Sequence, residues 1–375
     1  MQFIDLKAQY RALKEEINAN IQTVLDSAAF IGGPQVKELE QKLAEFAGRK
    51  HCVTCANGTD ALQVAYMVAG VGVGDAVFCP DMTFISSTEP AKMFGAVSVF
   101  CDITKDTYNL CPESLERQIQ AVLAEGKYTP KAVVAVDILG NPCDYDAIVP
   151  ICEKYGLFLI EDAAQSFGAS YKGKKCGAFG HIATTSFFPA KPLGCYGDGG
   201  AIFTDDDEMD KLIRSICVHG KGPGGKYDNI RVGVNSRLDT MQAAILLPKL
   251  KALAEYEVDS RQTVANRYNT AFAAKLQTPF VAENCVSVWA QYAVLAEDTK
   301  IRDQIIAHLS EKKIPNMVYY PTPQHALPVF RNEPTYGEPF ANANDYCART
   351  FSLPMHPYLE EAEQQQVIDA VLEAL

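Results

Sequence analysis

Three things are scarce in this 375-residue chain, and each scarcity removes a class of function. Basic charge is in deficit: 34 Lys and Arg stand against 46 Asp and Glu, a net charge of −12. That balance argues against a nucleic-acid or anionic-membrane surface, where a basic stripe is expected, and an anionic small substrate needs its own local Arg or Lys. Long apolar runs are missing, and Asp5 and Lys7 interrupt any signal-peptide core at the start, so a cytoplasmic protein is expected. The twelve cysteines form no framework. Most, such as Cys79, Cys101 and Cys217, sit in apolar runs as reduced core thiols, and Cys52 with Cys55 is the only Cys-x-x-Cys, without a second pair, so no metal site is expected. Repeats and low-complexity tracts are absent as well.

What is present is 48% apolar residues in a chain long enough for a large domain and a smaller one. Helical patterns cover Leu13–Leu25 and Phe30–Gly48, the latter opened by Gly32-Gly33-Pro34. After them short β runs (His51–Cys55, Ala76–Cys79, Val97–Cys101, Ala132–Val136, Leu157–Ile160) alternate with helical segments, the pattern of an α/β domain with a mainly parallel sheet. Thr184–Phe188 and Ala201–Thr204 are expected to complete it. From Asp239 a long helical pattern leads to a small C-terminal α+β domain, with the boundary placed at Ala254: 1–254 and 255–375.

Thr184–Gly200 delivers Lys191 into a turn built from Pro189, Pro192, Gly194 and Gly197. Pro fixes φ and Gly permits close backbone, so the lysine is held rather than waving in solvent, a candidate for a desolvated amine of lowered pKa that bonds covalently to a carbonyl. An ordinary surface lysine in a loop is the competing reading. In Cys55–Ala65 a β run breaks at Asn57-Gly58 and Thr59 opens a helix, an arrangement that suits either an anion cradle or a plain capped turn. Glu161 and Asp162 end an apolar run, with Gln165 in the next turn. A carboxylate at the carboxyl end of a parallel strand is costly to bury unless it meets a cation, and the pyridinium of pyridoxal phosphate is such a cation. Gly220–Lys226 has P-loop spacing but has Tyr227 where Ser or Thr would hold a metal.

Taken together, the start Phe3–Leu6, ANGTDAL (56–62), IEDAAQSFGA (160–169), SFFPAKPLGCYGDGGAIFT (186–204), GVNSRLDTMQAA (233–244) and SLPMHP (352–357) resemble the DegT/DnrJ/EryC1/StrS family of sugar-nucleotide aminotransferases. The resemblance spans essentially the whole chain. It implies the aspartate-aminotransferase-like fold type I and pyridoxal phosphate (PLP), alternating with its pyridoxamine form (PMP). It further implies Lys191 as the Schiff-base lysine, Asp162 as partner of the ring nitrogen, and Gln165 as donor to the ring's 3′ oxygen. Gly58, Thr59 and Ser186 correspond to phosphate ligands, Phe84 to the stacking aromatic, and Asn235 to a residue reaching the phosphate across a homodimer interface. The family members it resembles most aminate the 3-keto group of a UDP-linked N-acetyl hexuluronate for surface polysaccharide, with glutamate as expected donor. For that uronate Arg237 is the candidate carboxylate receptor, with Tyr319 and Tyr320 as further pocket wall. Rival readings are a family member acting on another ketosugar, a sugar dehydratase (which carries His where Lys191 stands), and a non-catalytic PLP-binding regulator.

Overall fold

The computed structural model describes every residue except Lys226. Seven strands form the main sheet: β1 (His51–Cys55), β2 (Asp75–Pro80), β3 (Val97–Cys101), β4 (Thr129–Val136), β5 (Phe158–Asp162), β8 (Ile182–Ser186) and β9 (Gly200–Thr204), in the order β1-β9-β8-β5-β4-β2-β3. A short hairpin, β6 (Ser170–Tyr171) and β7 (Lys174–Lys175), pairs through β6 with β10 (Cys285–Val286). Only β9 runs against its neighbours. The other six are mutually parallel, which requires crossover connections, and their apolar runs are buried from both sides as such sheets demand.

Helices supply that cover. Of those in the N-terminal two thirds, α1 (Leu6–Ser27), α2 (Pro34–Ala47), α3 (Gly58–Val68), α4 (Glu89–Met93), α5 (Pro112–Glu125), α6 (Tyr145–Tyr155) and α7 (Asp207–Ile216) lie between or before the strands. Then α8 (Thr240–Ala252) passes through a five-residue π turn, Leu253–Glu257, into α9 (Val258–Phe272). The helical rod therefore runs unbroken through the expected boundary at Ala254. None of these helices is long and apolar enough to cross a membrane.

Beyond α9, the antiparallel pair β11 (Tyr292–Leu295) and β12 (Thr350–Leu353) packs with α10 (Thr299–Glu311), α11 (Ala341–Arg349) and α12 (Glu361–Glu373). Tyr268, Phe272, Tyr292, Phe351 and Val367 make a separate apolar cluster there, while Leu295, Phe330, Phe340 and Tyr346 join the cluster under the main sheet. The α/β core with an α+β C-terminal portion matches the expectation from sequence. Strand edges moved by up to three residues: β4 begins at Thr129 rather than Ala132, and the run expected at Thr184–Phe188 is Ile182–Ser186, because Pro189 and the turn after it end the ladder there.

Candidate functional site

Because β1, β2, β4, β5 and β8 are parallel, their carboxyl ends share one edge of the sheet, and the loops leaving them enclose a cavity of about 660 Å³. Asn57–Leu62, Thr83–Ser87, Val136, Asp162–Gln165 and Ser186–Lys191 contribute to its wall, together with Ile4, Asp198, Gln291, Tyr319 and Tyr320. Gly58, Thr59, Phe84, Asp162, Gln165, Ser186, Lys191, Tyr319 and Tyr320 are thus brought together from five separate segments.

At the end of β1, Asn57 caps α3 by accepting the Asp60 N–H at 2.7 Å. The Gly58 and Thr59 N–H groups, in the first turn, have no acceptor within the helix and lie in the cavity wall. Gly58 must be glycine: a Cβ there would meet Ser186 Cβ at 2.6 Å. Its absence lets the Ser186 hydroxyl approach the helix N-terminus. Thr59 is fixed by a 2.8 Å hydroxyl pair with Ser86. Backbone N–H groups, hydroxyls and the positive helix end converge as a phosphate ligand requires.

Asp162 is the last residue of β5 and is buried, yet its carboxylate faces the cavity. Ser87 Oγ donates to Oδ2 at 2.7 Å and the Ala164 N–H to Oδ1 at 3.1 Å. Burial raises its pKa, opposed by those two donors and by the Lys191 ammonium. A buried carboxylate so placed is suited to a cationic group of a ligand in the cavity. Glu161, its neighbour, points to the other face of the strand, where the Gly177 and Phe179 N–H groups each donate to it at 2.6 Å.

Lys191 closes a tight turn by donating its N–H to the Phe188 carbonyl at 2.8 Å, with Pro189 in the position where its fixed φ favours the turn. Gly194 is jammed against that turn, since a Cβ would stand 2.4 Å from the Pro189 oxygen. Behind it Lys249 of α8 donates to the Gly194 carbonyl. The Lys191 side chain is open to the cavity rather than to bulk water; burial lowers its pKa, against the pull of Asp162.

Gln165 is oriented by its surroundings. Its Oε1 accepts the Leu139 N–H at 2.7 Å, which leaves Nε2 to donate, and one donor reaches Tyr320 Oη at 3.0 Å. Phe84 is half exposed over the cavity, its ring 6.2 Å from that of Tyr320.

Asn235 and Arg237 are not part of this wall. Both are exposed, and Arg237 Nη2 donates to Asn235 Oδ1 at 2.7 Å. Neither lines its own chain's cavity, and the bridge of Val218 to Asn235 holds this stretch at the surface. Among the described residues lining the cavity, Lys191 is the sole basic side chain. Two serines that sequence reasoning passed over, Ser86 and Ser87, hold Thr59 and Asp162; their place two and three residues after Phe84 was the available signal.

Other candidates resolve on geometry. Cys52 and Cys55 lie on opposite faces of β1, packed into different clusters, so no single ion could bridge them. Asp137, Glu161 and Cys176 bring ligand atoms within 4.8 Å of one another, but both carboxylates are taken up by protein donors. The P-loop-like run includes Lys226, outside the described residues; beside it the Gly224 N–H donates to Asp228 at 2.6 Å.

Comparison with known proteins gives the same picture. The profile of the DegT/DnrJ/EryC1/StrS aminotransferase family matches residues 11–372. UDP-2-acetamido-2-deoxy-3-oxo-D-glucuronate aminotransferase of Pseudomonas aeruginosa is 47% identical, over 96% of this chain and 97% of the relative. A crystal structure of a DegT DnrJ EryC1 StrS aminotransferase from Brucella abortus superposes with a TM-score of 0.97 at 45% identity, covering 100% of this chain and 99% of that one. NtdA from Bacillus subtilis, solved with bound cofactor PMP, is 27% identical with a TM-score of 0.87, over 99% of this chain and 83% of that one.

Proposed function

The chain belongs to the DegT/DnrJ/EryC1/StrS aminotransferase family and is a PLP-dependent sugar aminotransferase, and from that premise we propose that it aminates the 3-keto group of a UDP-linked N-acetyl hexuluronate, with glutamate as donor. The observation carrying this is the pairing, in one cavity, of a desolvated lysine and a buried carboxylate beside a helix N-terminus. The 3-oxo-glucuronate named for the Pseudomonas aeruginosa relative supports the sugar.

PLP, when bound, supplies the carbonyl that exchanges amino groups and the ring that accepts electrons. Every other task falls to the chain. Gly58, Thr59 and Ser186 would hold the phosphate; Asp162 would hold the ring nitrogen and keep it protonated; Gln165 would donate its remaining N–H to the ring oxygen; Phe84 would shield the ring from water. Lys191 Nζ, whose pKa burial lowers, takes a proton from one carbon and returns it to another. Donor and sugar use the site in turn, so ping-pong kinetics are expected.

A homodimer with shared sites belongs to the same proposal. Cofactor phosphate, UDP, uronate and glutamate are all anions, and the cavity wall of one chain offers Lys191 alone among its described residues. Asn235 and Arg237, exposed together on one chain, are suited to serve the partner's cavity. The division into 1–254 and 255–375, a cytoplasmic setting and a role in making surface-polysaccharide sugar complete the reading; the separate C-terminal apolar cluster supports the division.

The test is turnover of paired UDP-3-ketosugars with and without a C6 carboxylate. Arg237→Ala is expected to raise KM for the uronate by about one to two orders of magnitude, as a lost charged hydrogen bond contributes roughly 1.5 to 3 kcal/mol. The glutamate half-reaction should change much less. Equal loss with the neutral sugar would make Arg237 a phosphate-binding or structural residue.

A further inference from the structure

The loop Asp81–Thr88, which follows β2, carries three parts of the site: Phe84 over the cavity, Ser86 against Thr59, and Ser87 against Asp162. Its own regular structure is one 3-10 turn, Ile85–Ser87. A segment with so few local bonds loses considerable backbone entropy when ordered, so its shape must be imposed by tertiary contacts.

Nearby elements give single bonds, from the Asp81 N–H to the Cys101 carbonyl at 2.8 Å, Tyr66 Oη to the Ser87 carbonyl at 2.8 Å and Ser98 Oγ to the Thr88 carbonyl at 3.3 Å, while a concentrated set comes from two consecutive residues more than two hundred positions away. Gln324 is buried, and every polar group it offers except its carbonyl engages the loop. Its N–H donates to the Asp81 carbonyl at 2.7 Å, its Nε2 to the Thr83 carbonyl at 2.7 Å, and its Oε1 accepts from Thr88 Oγ1 at 3.2 Å. His325 adds its N–H to Asp81 Oδ1 at 2.8 Å and its ring Nδ1 to Oδ2 at 2.6 Å. Asp81 is fully buried, so this imidazole and N–H fork is what makes its carboxylate tolerable, and the ring is braced by stacking on Phe340 at 4.4 Å. Within the loop, Thr83 Oγ1 lies 3.0 Å from Ser87 Oγ, the hydroxyl that donates to Asp162. A continuous path thus leads from the clamp to the carboxylate.

We propose that Gln324 and His325 are positioning residues for the transamination site: they clamp the Asp81–Thr88 loop so that Ser87 holds Asp162, Ser86 holds Thr59, and Phe84 stays over the cofactor. The same pair sets the position of Tyr320, four residues upstream of Gln324, whose hydroxyl accepts from Gln165 and whose ring faces Phe84. Two walls of the cavity, from distant parts of the chain, are registered by one dipeptide. The proposal rests on assigning this cavity to PLP, and PLP binding by the unaltered protein checks that assignment separately.

Hydrogen exchange read by mass spectrometry on the cofactor-free protein gives a test that needs no activity. Gln324→Leu, which keeps volume and removes the amide, and His325→Ala should speed exchange in peptides covering 81–88 by about tenfold while peptides from β4 and β5 stay unchanged. The dissociation constant for PLP should rise by about ten- to a hundredfold. His325→Asn, which can still donate to Asp81, should recover most of both. Unchanged exchange in 81–88, a uniform loosening of loop and sheet, or a loosened loop with unaltered PLP affinity would each overturn the proposal. Should His325→Ala fail to fold, Gln324→Leu decides alone, since it uncovers no buried charge.

Discussion

Glu161 and Asp162 are neighbours of the same chemistry with opposite tasks, and the pleat separates them. Successive side chains on a strand face opposite sides, so one carboxylate of the pair must leave the cavity. Glu161 does so and is held by two backbone N–H groups; Asp162 stays with one serine and one N–H. Substitution should split accordingly. Asp162→Asn exchanges a charged acceptor for a neutral one, and transamination is expected to slow by about ten- to a hundredfold or more at saturating substrates, with the melting temperature nearly kept. Glu161→Gln instead turns an amide NH₂ toward backbone donors, so it should lower the melting temperature while leaving the rate per folded molecule. The reverse pattern, in stopped-flow and calorimetry on both variants, would transfer the ring-nitrogen role to Glu161.

Helix α8 bears on the lysine turn as an element. Gln242 accepts the Tyr196 N–H at 2.8 Å, and about two turns further along the same face, Lys249 donates to Gly194 while its ammonium lies 5.0 Å from the Tyr196 ring centre. Lys249 is buried, and burial pushes its pKa down to about 8 against the opposing pull of Glu257. An unfolded lysine holds its proton to about pH 10.4, so between about 8 and 10.4 the unfolded chain binds more protons than the folded one. The contribution of this group to stability is therefore lowest below pH 8 and rises as pH increases through that window. Denaturant titrations of wild type and Lys249→Met should show their difference shifting toward the wild type from pH 8 to 10. A difference independent of pH would mean that Lys249 titrates normally in the folded chain.

The whole molecule poses an electrostatic problem that its parts do not. A chain of net charge −12 must gather anionic ligands in a cavity whose described lining in one subunit has one basic side chain. The shared sites proposed above would answer it, and they make a prediction at this scale. Inactive Lys191→Ala mixed with weakly active Asn235→Ala should regain activity, because one of the two sites in a mixed dimer then receives Lys191 from one chain and Asn235 from the other. Activity that stays at the level of the separate variants after subunit exchange has been demonstrated would count against sharing. Borohydride reduction of wild type, followed by peptide mapping, should find the cofactor on Lys191; recovery on another lysine would displace it from its role.

Sequence alone determined what depends on local chemistry and on alternation along the chain. The β/α alternation and apolar strands specify a parallel sheet; Pro189 and Gly194 allow a held lysine, and Asn57-Gly58-Thr59 a helix start open to an anion or simply capped, and the family motifs are what point to the cofactor. Tertiary structure decided whatever depends on where distant segments meet. That Asp162 rather than Glu161 faces the cavity follows from strand phase, which the pairing of Val136 with Asp162 and of Asp162 with Thr184 sets. The exclusion of Asn235 and Arg237 from their own chain's cavity, and the grip of Gln324 and His325 on Asp81, join residues whose separation in sequence carries no periodic signal. A hydrogen bond across more than two hundred residues leaves no mark on local composition, because its strength depends on burial and geometry that only the closed fold creates.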